Sequence, residues 1–244
     1  MLALIAAVIV GPPEIRPGLA SRTIVLTYHD MVPKRDKNSL WFDCTPDELQ
    51  AQINWLRAKG AHFISLEQLY SALTRGTKLP PHPTAINFAD NYLGFYTTAW
   101  PILKKEKIPV TMFVHTGFVG SKGGRPKMTW DQLRELSKNP LFRAASQTVT
   151  HPEDVGALPL ASLRREMGES RSALQKNLPV FSNFLAYPNG KHSGAAAAQA
   201  RAAGYSMAFT EAQKPAETAP SIFLVPRYVH TKMKQAWADA SSRR

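Results

Sequence analysis

Short apolar runs alternate with amphipathic segments along most of this chain. The runs are rich in β-branched and aromatic residues and are bounded by turn-forming residues, so they predict buried strands. These predicted strands cover residues 23–28, 84–88, 110–114, 142–148, 184–187, 206–210 and 223–229. The segments between them predict helices over residues 46–59, from 65, over 93–107, from 129, over 160–176 and over 194–203.

The first predicted helix carries clear start and stop signals. Thr45 is a good N-cap, and Pro46 suits the first helical position. Gly60 then ends the helix. The whole pattern gives about seven βα units, which predicts a parallel sheet with helices outside. Seven units over 244 residues favour a single (β/α) barrel, in which the chemistry lies where strands end and loops begin.

Polar residues that suit metal binding follow the predicted strands. Five of the seven histidines, with the acids Asp30 and Asp90, fall at this rim. Neutral imidazole together with carboxylate is a ligand set for zinc, cobalt or nickel. Each residue alone has a simpler explanation: a single histidine is more often structural, and Asp90 could cap the following helix. The rim histidines are His29, His115, His151, His192 and His230.

Charge and composition narrow the class of partner. The chain carries a formal net charge of +12, which raises the odds of a polyanionic partner such as nucleic acid, an anionic membrane surface or an acidic cell-wall polymer. The basic residues are scattered, however, and no aromatic residues are interleaved with them as base-stacking sites require. We therefore expect a solvated basic surface and no nucleic-acid partner.

The N-terminus predicts export. Residues 2–10 form a continuous apolar run closed by Gly11-Pro12-Pro13, too short to span a bilayer as a helix. The run resembles the apolar region of a secretory signal, although no Lys or Arg precedes it; the alternative is a short buried strand or helix. We expect residues 1–20 to be an export signal or its remnant, and residues 21–244 to form one domain. The expected location is extracellular or periplasmic, with membrane or envelope association.

Six motifs in order give the chain a family resemblance. They are Tyr28-His29-Asp30, residues 87–92 (Asn-Phe-Ala-Asp-Asn-Tyr), residues 101–105 (Pro-Ile-Leu-Lys-Lys), residues 109–114, residues 146–152 (Ser-Gln-Thr-Val-Thr-His-Pro) and residues 187–190 (Tyr-Pro-Asn-Gly). This order resembles the NodB-homology polysaccharide deacetylases of carbohydrate esterase family 4, and most of all their poly-β-1,6-N-acetylglucosamine branch. The resemblance spans residues 24–229 and implies an α/β fold, a distorted (β/α) barrel of about seven parallel strands with outer helices.

The resemblance also implies a metal-dependent mechanism. In the family, one motif supplies a general base and a metal-binding aspartate, and a second supplies two metal-binding histidines; the metal polarises the acetamide carbonyl and acidifies a water that the base deprotonates. By position, Asp90 corresponds to the metal-binding aspartate and His151 to the second histidine, while Gln147 replaces the first histidine. Asn91 stands where the family motif has glycine. The expected substrate-binding residues are Tyr92, Tyr187, Pro188 and Asn189.

Two departures from the family put catalysis in doubt. Ala89 stands where the base is expected and cannot take a proton, and the amide of Gln147 is a poor zinc ligand beside imidazole. These changes favour a pseudoenzyme that binds a glycan, an N-acetylglucosamine polymer or peptidoglycan, without turnover. The alternative is a rebuilt rim, with Asp30 or His230 as base.

In the rebuilt rim, His29, His115 or His230 would replace the missing metal ligand. A third hypothesis is an envelope scaffold protein with no glycan site. Burial of the aromatic residues Tyr92, Trp130 and Tyr187 would favour that third hypothesis, and exposure in a groove would argue against it.

Overall fold

The computed structural model describes residue 15 and residues 22–242, and these fold around one parallel sheet. The predicted N-terminal export segment lies outside the described residues except for residue 15. The strands are β1 (Ile24–Tyr28), β2 (His62–Ile64), β3 (Pro83–Phe88), β4 (Val110–Val114), β5 (Phe142–Ser146), β6 (Phe184–Ala186), β7 (Met207–Phe209) and β8 (Tyr228–Val229). Every strand pairing is parallel.

The sheet curls into the expected distorted barrel. Its order is β7-β6-β5-β4-β3-β1-β8, and β2 pairs with the first half of β3 on the edge that β4 uses further along. Residues 222–225 bridge the two ends of the sheet: the Val225 N–H donates to the Ala208 carbonyl, and the Thr210 N–H donates to the Val225 carbonyl. The chain then continues into β8. The barrel prediction is therefore confirmed.

Helices surround the sheet and lie close to their predicted positions. They are α1 (Pro46–Ala58), α2 (Leu66–Arg75), α3 (Trp100–Lys105), α4 (Trp130–Ser137), α5 (Leu160–Asn177), α6 (Gly194–Ala202) and α7 (Met233–Ser241), with a π-helix at Phe95–Ala99 before α3. The Thr45 and Glu48 side chains cap α1 reciprocally. In the described part of the chain, no helix is long and apolar enough to cross a bilayer.

Four elements differ from the sequence prediction. β2 and α7 were not predicted, because β2 has only three residues and α7 lies beyond the last motif. The predicted helix over 93–107 begins instead as the π-helix. The predicted strand over 223–229 forms regular pairing only at Tyr228–Val229, because its first half leaves the ladder after bridging to β7.

Strand alternation separates two cores and brings polar residues to one end of the barrel. Leu26 and Phe88 pack outward under α1 and α3, whereas Val25, Ala85 and Phe113 pack inward with the core beneath α5 and α6. Continuing the inward alternation past the strand ends places a polar layer at the carboxyl-terminal mouth. The candidate site occupies this mouth.

Candidate metal centre and substrate cleft

Three side chains converge at the barrel mouth with metal-ligand spacing. One ligand atom each from Asp90, His115 and His151 lies within 4.8 Å of the other two. Asp90 and His115 are buried, and His151 is half-buried at the edge of the cleft. Asp90 follows β3, His115 follows β4 and His151 follows β5, so three neighbouring strands deliver the set.

The distances between these ligand atoms are close to those between two ligands of one metal ion. The Asp90 Oδ1 lies 2.8 Å from the His115 Nε2 and 3.9 Å from the His151 Nε2. Within the described part of the chain, neither the Asp90 Oδ1 nor the His115 Nε2 has a partner with hydrogen-bond geometry. Two ligand atoms bound at about 2.1 Å to one zinc ion lie about 3.0–3.4 Å apart, a spacing that the two observed distances bracket. The residues therefore fit a divalent metal.

The backbone at Asp90 is held in a conformation that non-glycine residues rarely adopt. Its φ is +70°, in the left-handed region. The Gln147 side-chain Oε1 accepts the Asp90 N–H at 2.9 Å, and the Lys127 Nζ donates to the Asp90 carbonyl at 2.8 Å. Gln147 thus lies beside the expected metal ligand, but its amide oxygen is used to fix the Asp90 backbone.

The side-chain amide of Asn91 positions His115, as that of Gln147 positions Asp90. The Asn91 Oδ1 accepts the His115 N–H at 3.0 Å, which joins the loop after β3 to the end of β4. The Asn91 carbonyl also accepts the Met128 N–H at 2.9 Å. Asn91 stands where the family resemblance expects glycine, and here its side chain ties His115 to the Asp90 loop.

The turn that carries His151 is organised by a buried glutamate from α5. The Glu166 Oε2 accepts the N–H groups of Val149 and Thr150, each at 2.9 Å, and its Oε1 accepts the Thr150 hydroxyl at 2.7 Å. The Thr148 hydroxyl then accepts the His151 N–H at 3.2 Å. His151 itself has a φ of +52°, so the contacts of this turn fix a second strained ligand position.

The electrostatics of the site favour an ionised Asp90 and a neutral His151. Burial alone would raise the pKa of Asp90, but the neighbouring His115, His29 and His151 rings lower it well below its usual range. Burial, helped by His115, lowers the pKa of His151 to about 4. Neutral imidazole is the form that binds metal.

Of the two residues that the sequence suggests as a general base, Asp30 is the better candidate. Its Oδ2 accepts from the Arg125 Nη1 at 2.9 Å, and Arg125 also forms a two-pronged ion pair with Asp43. Burial raises the pKa of Asp30, although Arg125 opposes the shift. Gly94 makes room for this arrangement, because a Cβ there would collide with the Met31 carbonyl and the Asp30 carboxylate.

The other positions considered for the base or for the missing metal ligand are placed less favourably. Ala89 is completely buried and offers no polar atom. The His230 ring stacks on Tyr28 with centroids 4.8 Å apart, and Tyr28 belongs to the outward-facing core. His29 is buried at the mouth, and burial lowers its pKa. The structure therefore brings His115 and His151 to Asp90, with His29 nearby, and leaves His230 on the outer side.

A cleft of about 440 Å³ opens beside the candidate metal ligands. Its lining includes Tyr92, Arg125 and Lys127, together with His115 and His151. The Lys127 Nζ lies 3.4 Å from the centre of the Tyr92 ring, and burial lowers the pKa of Lys127 to about 8.

The expected substrate-binding residues divide into two groups. Tyr92 is half-buried and lines the cleft, whereas Tyr187 and Pro188 are buried beneath the surface. Asn189 is exposed, and its side-chain amide donates to the Glu153 carbonyl at 3.0 Å. Trp130 packs half-buried against the outward-facing core.

The exposed aromatic residues near the cleft were not singled out from sequence. Trp41 is 63% exposed, and Phe118, which lines the cleft, is 41% exposed. Trp41 stands edge-on to Phe42, and Phe42 stacks near Tyr92 with centroids 6.5 Å apart. The Leu40-Trp41-Phe42 run between β1 and α1 was the available signal, since apolar residues in a polar loop often mark binding surfaces.

Comparisons with known proteins agree with this architecture. Residues 76–208 match the family model described as polysaccharide deacetylase. The chain is 27% identical over 199 residues to the poly-β-1,6-N-acetyl-D-glucosamine N-deacetylase of Staphylococcus aureus, covering 76% of this chain and 67% of that protein. The Staphylococcus epidermidis protein of the same name is 28% identical over the same length.

Solved structures extend the match to nearly the whole chain. IcaB from Ammonifex degensii superposes with a TM-score of 0.80 at 26% identity, covering 91% of this chain and 98% of that one. The Streptococcus pyogenes deacetylase PplD, in complex with acetate, superposes with a TM-score of 0.79 at 23% identity, covering 91% and 99%. The second likeness is evidence for the fold alone.

The Glu166 contacts generate a stability prediction. Glu166→Ala removes the acceptor of three hydrogen bonds and leaves their donors in a half-buried turn, so we expect a loss of about 2–4 kcal/mol in the free energy of unfolding. Glu169→Ala is the matched control: the residue is exposed on the same helix and should change stability by less than about 0.5 kcal/mol. Urea denaturation measures both, and equal effects would contradict the role given to Glu166.

Proposed function

Because this chain belongs to the polysaccharide deacetylase family, we propose that it is a metal-dependent N-deacetylase of an amino-sugar glycan, with Asp90, His115 and His151 as metal ligands. The observation that carries the proposal is the close approach of the Asp90 Oδ1 to the His115 Nε2 without hydrogen-bond geometry. His115 supplies the imidazole that the Gln147 position lacks. A bound zinc, cobalt or nickel ion would polarise the acetamide carbonyl and acidify a water.

The residues of this chain divide the remaining work among them. Gln147 and Asn91 hold two of the ligands through their backbones, so the ligand set is preorganised before any ion enters. Asp30 is the proposed base, because it is a carboxylate at the mouth whose pKa is raised by burial and whose orientation is fixed by Arg125.

The proposed substrate is an N-acetylglucosamine polymer or peptidoglycan. The curated relatives are named for poly-β-1,6-N-acetylglucosamine, which supports the first of these. Phe118 offers an exposed aromatic face in the cleft, and Trp41 offers another beside Phe42, which stacks near Tyr92 of the cleft. Sugar rings pack well on such faces. A glycan of this kind lies in the cell envelope, so we propose an extracellular or periplasmic location; fractionation that found the protein only in the cytoplasm would contradict it.

A non-catalytic glycan-binding protein is the second candidate function. Ala89 is the observation that favours it, because the family position of the base carries no proton acceptor. The two candidates share the cleft and the aromatic residues, and they differ only in whether acetate is released.

Metal binding is tested by dialysing the protein against Zn²⁺ and measuring the bound metal. We expect about one ion per chain, held at Asp90, His115 and His151, and His115→Ala should lower the affinity by at least about 10–100-fold. His192→Ala is the control, because His192 is exposed and lies outside the ligand set. Wild-type protein without bound zinc, or His115→Ala binding as tightly as wild type, would refute the ligand assignment.

Turnover separates the two candidate functions. We expect metal-loaded protein to release acetate from N-acetylglucosamine oligomers, and Asp30→Asn to lower the rate about 10²–10⁴-fold by removing the base. Asp131→Asn, an exposed position on α4, should leave the rate unchanged. Oligomer binding that Trp41→Ala abolishes, without any acetate release by the wild-type protein, would instead establish the glycan-binding function.

A further inference from the structure

Arg227 carries a buried charge that its neighbours satisfy only in part. The residue is fully buried; its Nη1 donates to the Asn87 Oδ1 at 3.1 Å and its Nε to the Thr210 carbonyl at 3.2 Å. Among the residues that the structure describes, its Nη2 has no hydrogen-bond partner. The Glu211 carboxylate lies 3.5 Å from this atom and is partly exposed. A buried guanidinium is costly unless its charge is paired and its N–H groups are bonded.

A second unpartnered polar atom lies on the same side of the barrel mouth. His29 is buried, and its Nδ1 has no hydrogen-bond partner in the described part of the chain. The charges that act on the His29 ring include those of Asp90, Glu211 and Arg227, so the ring has both the Asp90 carboxylate and the buried arginine in its surroundings.

Strand register places both groups beside Ala89. Thr27 pairs with Asn87 across β1 and β3, and the Thr27 hydroxyl donates to the Asn87 Oδ1, so both side chains point into the barrel. Two residues further along each strand, His29 and Ala89 occupy the next inward layer. The Ala89 methyl group therefore lies one layer above the Asn87 oxygen that Arg227 contacts.

We propose that Arg227 and His29 form a binding pocket for a small carboxylate, such as formate or acetate, beside Ala89. A carboxylate matches the planar guanidinium in shape and charge and can accept from the Arg227 Nη2. The other carboxylate oxygen accepts from the His29 Nδ1, in the tautomer that carries its proton there.

The small side chain of Ala89 sets the size of the proposed ligand. An alanine side chain is shorter than an aspartate side chain by one carboxyl group, so the proposed ligand is a one- or two-carbon acid. Glu211 adds negative charge at the rim but makes no hydrogen bond to the Nη2, so it leaves that donor open to a ligand. The pocket requires neither bound metal nor turnover, so it stands or falls separately from the proposed deacetylase activity.

Formate binding to metal-free protein tests the pocket by saturation-transfer NMR on the formate proton. We expect a saturable signal for the wild-type protein and none for formamide, which has a similar size but no charge. Ala89→Asp places a tethered carboxylate in the pocket and should weaken formate binding at least about tenfold, equivalent to about 1.4 kcal/mol. Arg227→Gln should abolish the signal.

Controls keep the test decisive if the buried arginine variant does not fold. Arg57→Gln removes an exposed arginine of α1 and should leave formate binding unchanged. Circular dichroism melting establishes which variants are folded. If Arg227→Gln is not folded, formate binding to Ala89→Asp tests the proposal on its own. Absence of formate binding to wild type, or equal binding by folded Ala89→Asp, would overturn the proposal and show that Glu211 or water satisfies Arg227.

Discussion

The Asp90 carboxylate lies buried at the mouth of the barrel, and a buried carboxylate is costly unless hydrogen bonds or positive charge compensate it. Its Oδ1 has no hydrogen-bond partner among the described residues, although the His115 Nε2 lies only 2.8 Å away. A shared cation would resolve this arrangement, because it would turn two competing lone pairs into two ligands. The positive φ of Asp90 and the contacts of its backbone with Gln147 and Lys127 hold the carboxylate beside His115.

The departures from the family pattern support one another physically. Gln147 cannot replace an imidazole as a zinc ligand, but its oxygen holds the Asp90 N–H. Asn91 fills a position expected to be glycine and holds the His115 N–H. The second imidazole of the set enters from β4, where His115 ends an inward-facing series with Thr111 and Phe113. The site is therefore coherent as a metal centre even though its base position is alanine.

Much of the fold could be predicted from sequence, because alternation of apolar strands and amphipathic helices is a local signal. The three residues of β2 and the half-irregular strand ending at Val229 could not, because their pairing depends on partners distant in the chain. For the site, sequence placed Asp90, His115 and His151 at one rim but left His115 as one of three alternatives. The choice of His115 depends on a left-handed backbone at Asp90 and His151. The residue types at these two positions do not predict that conformation, since it usually favours glycine. Trp41 was missed for a related reason, because only the folded loop shows that its ring is exposed beside Phe42, which stacks near Tyr92.

The proposed metal centre depends on His115 as its third ligand, and X-ray absorption spectroscopy of the zinc-loaded protein tests this most directly. We predict that zinc is bound by two imidazole nitrogens at about 2.0–2.1 Å and by at least one carboxylate oxygen, and that only one imidazole remains in His115→Ala. A wild-type shell containing a single imidazole, or a spectrum unchanged by His115→Ala, would contradict it.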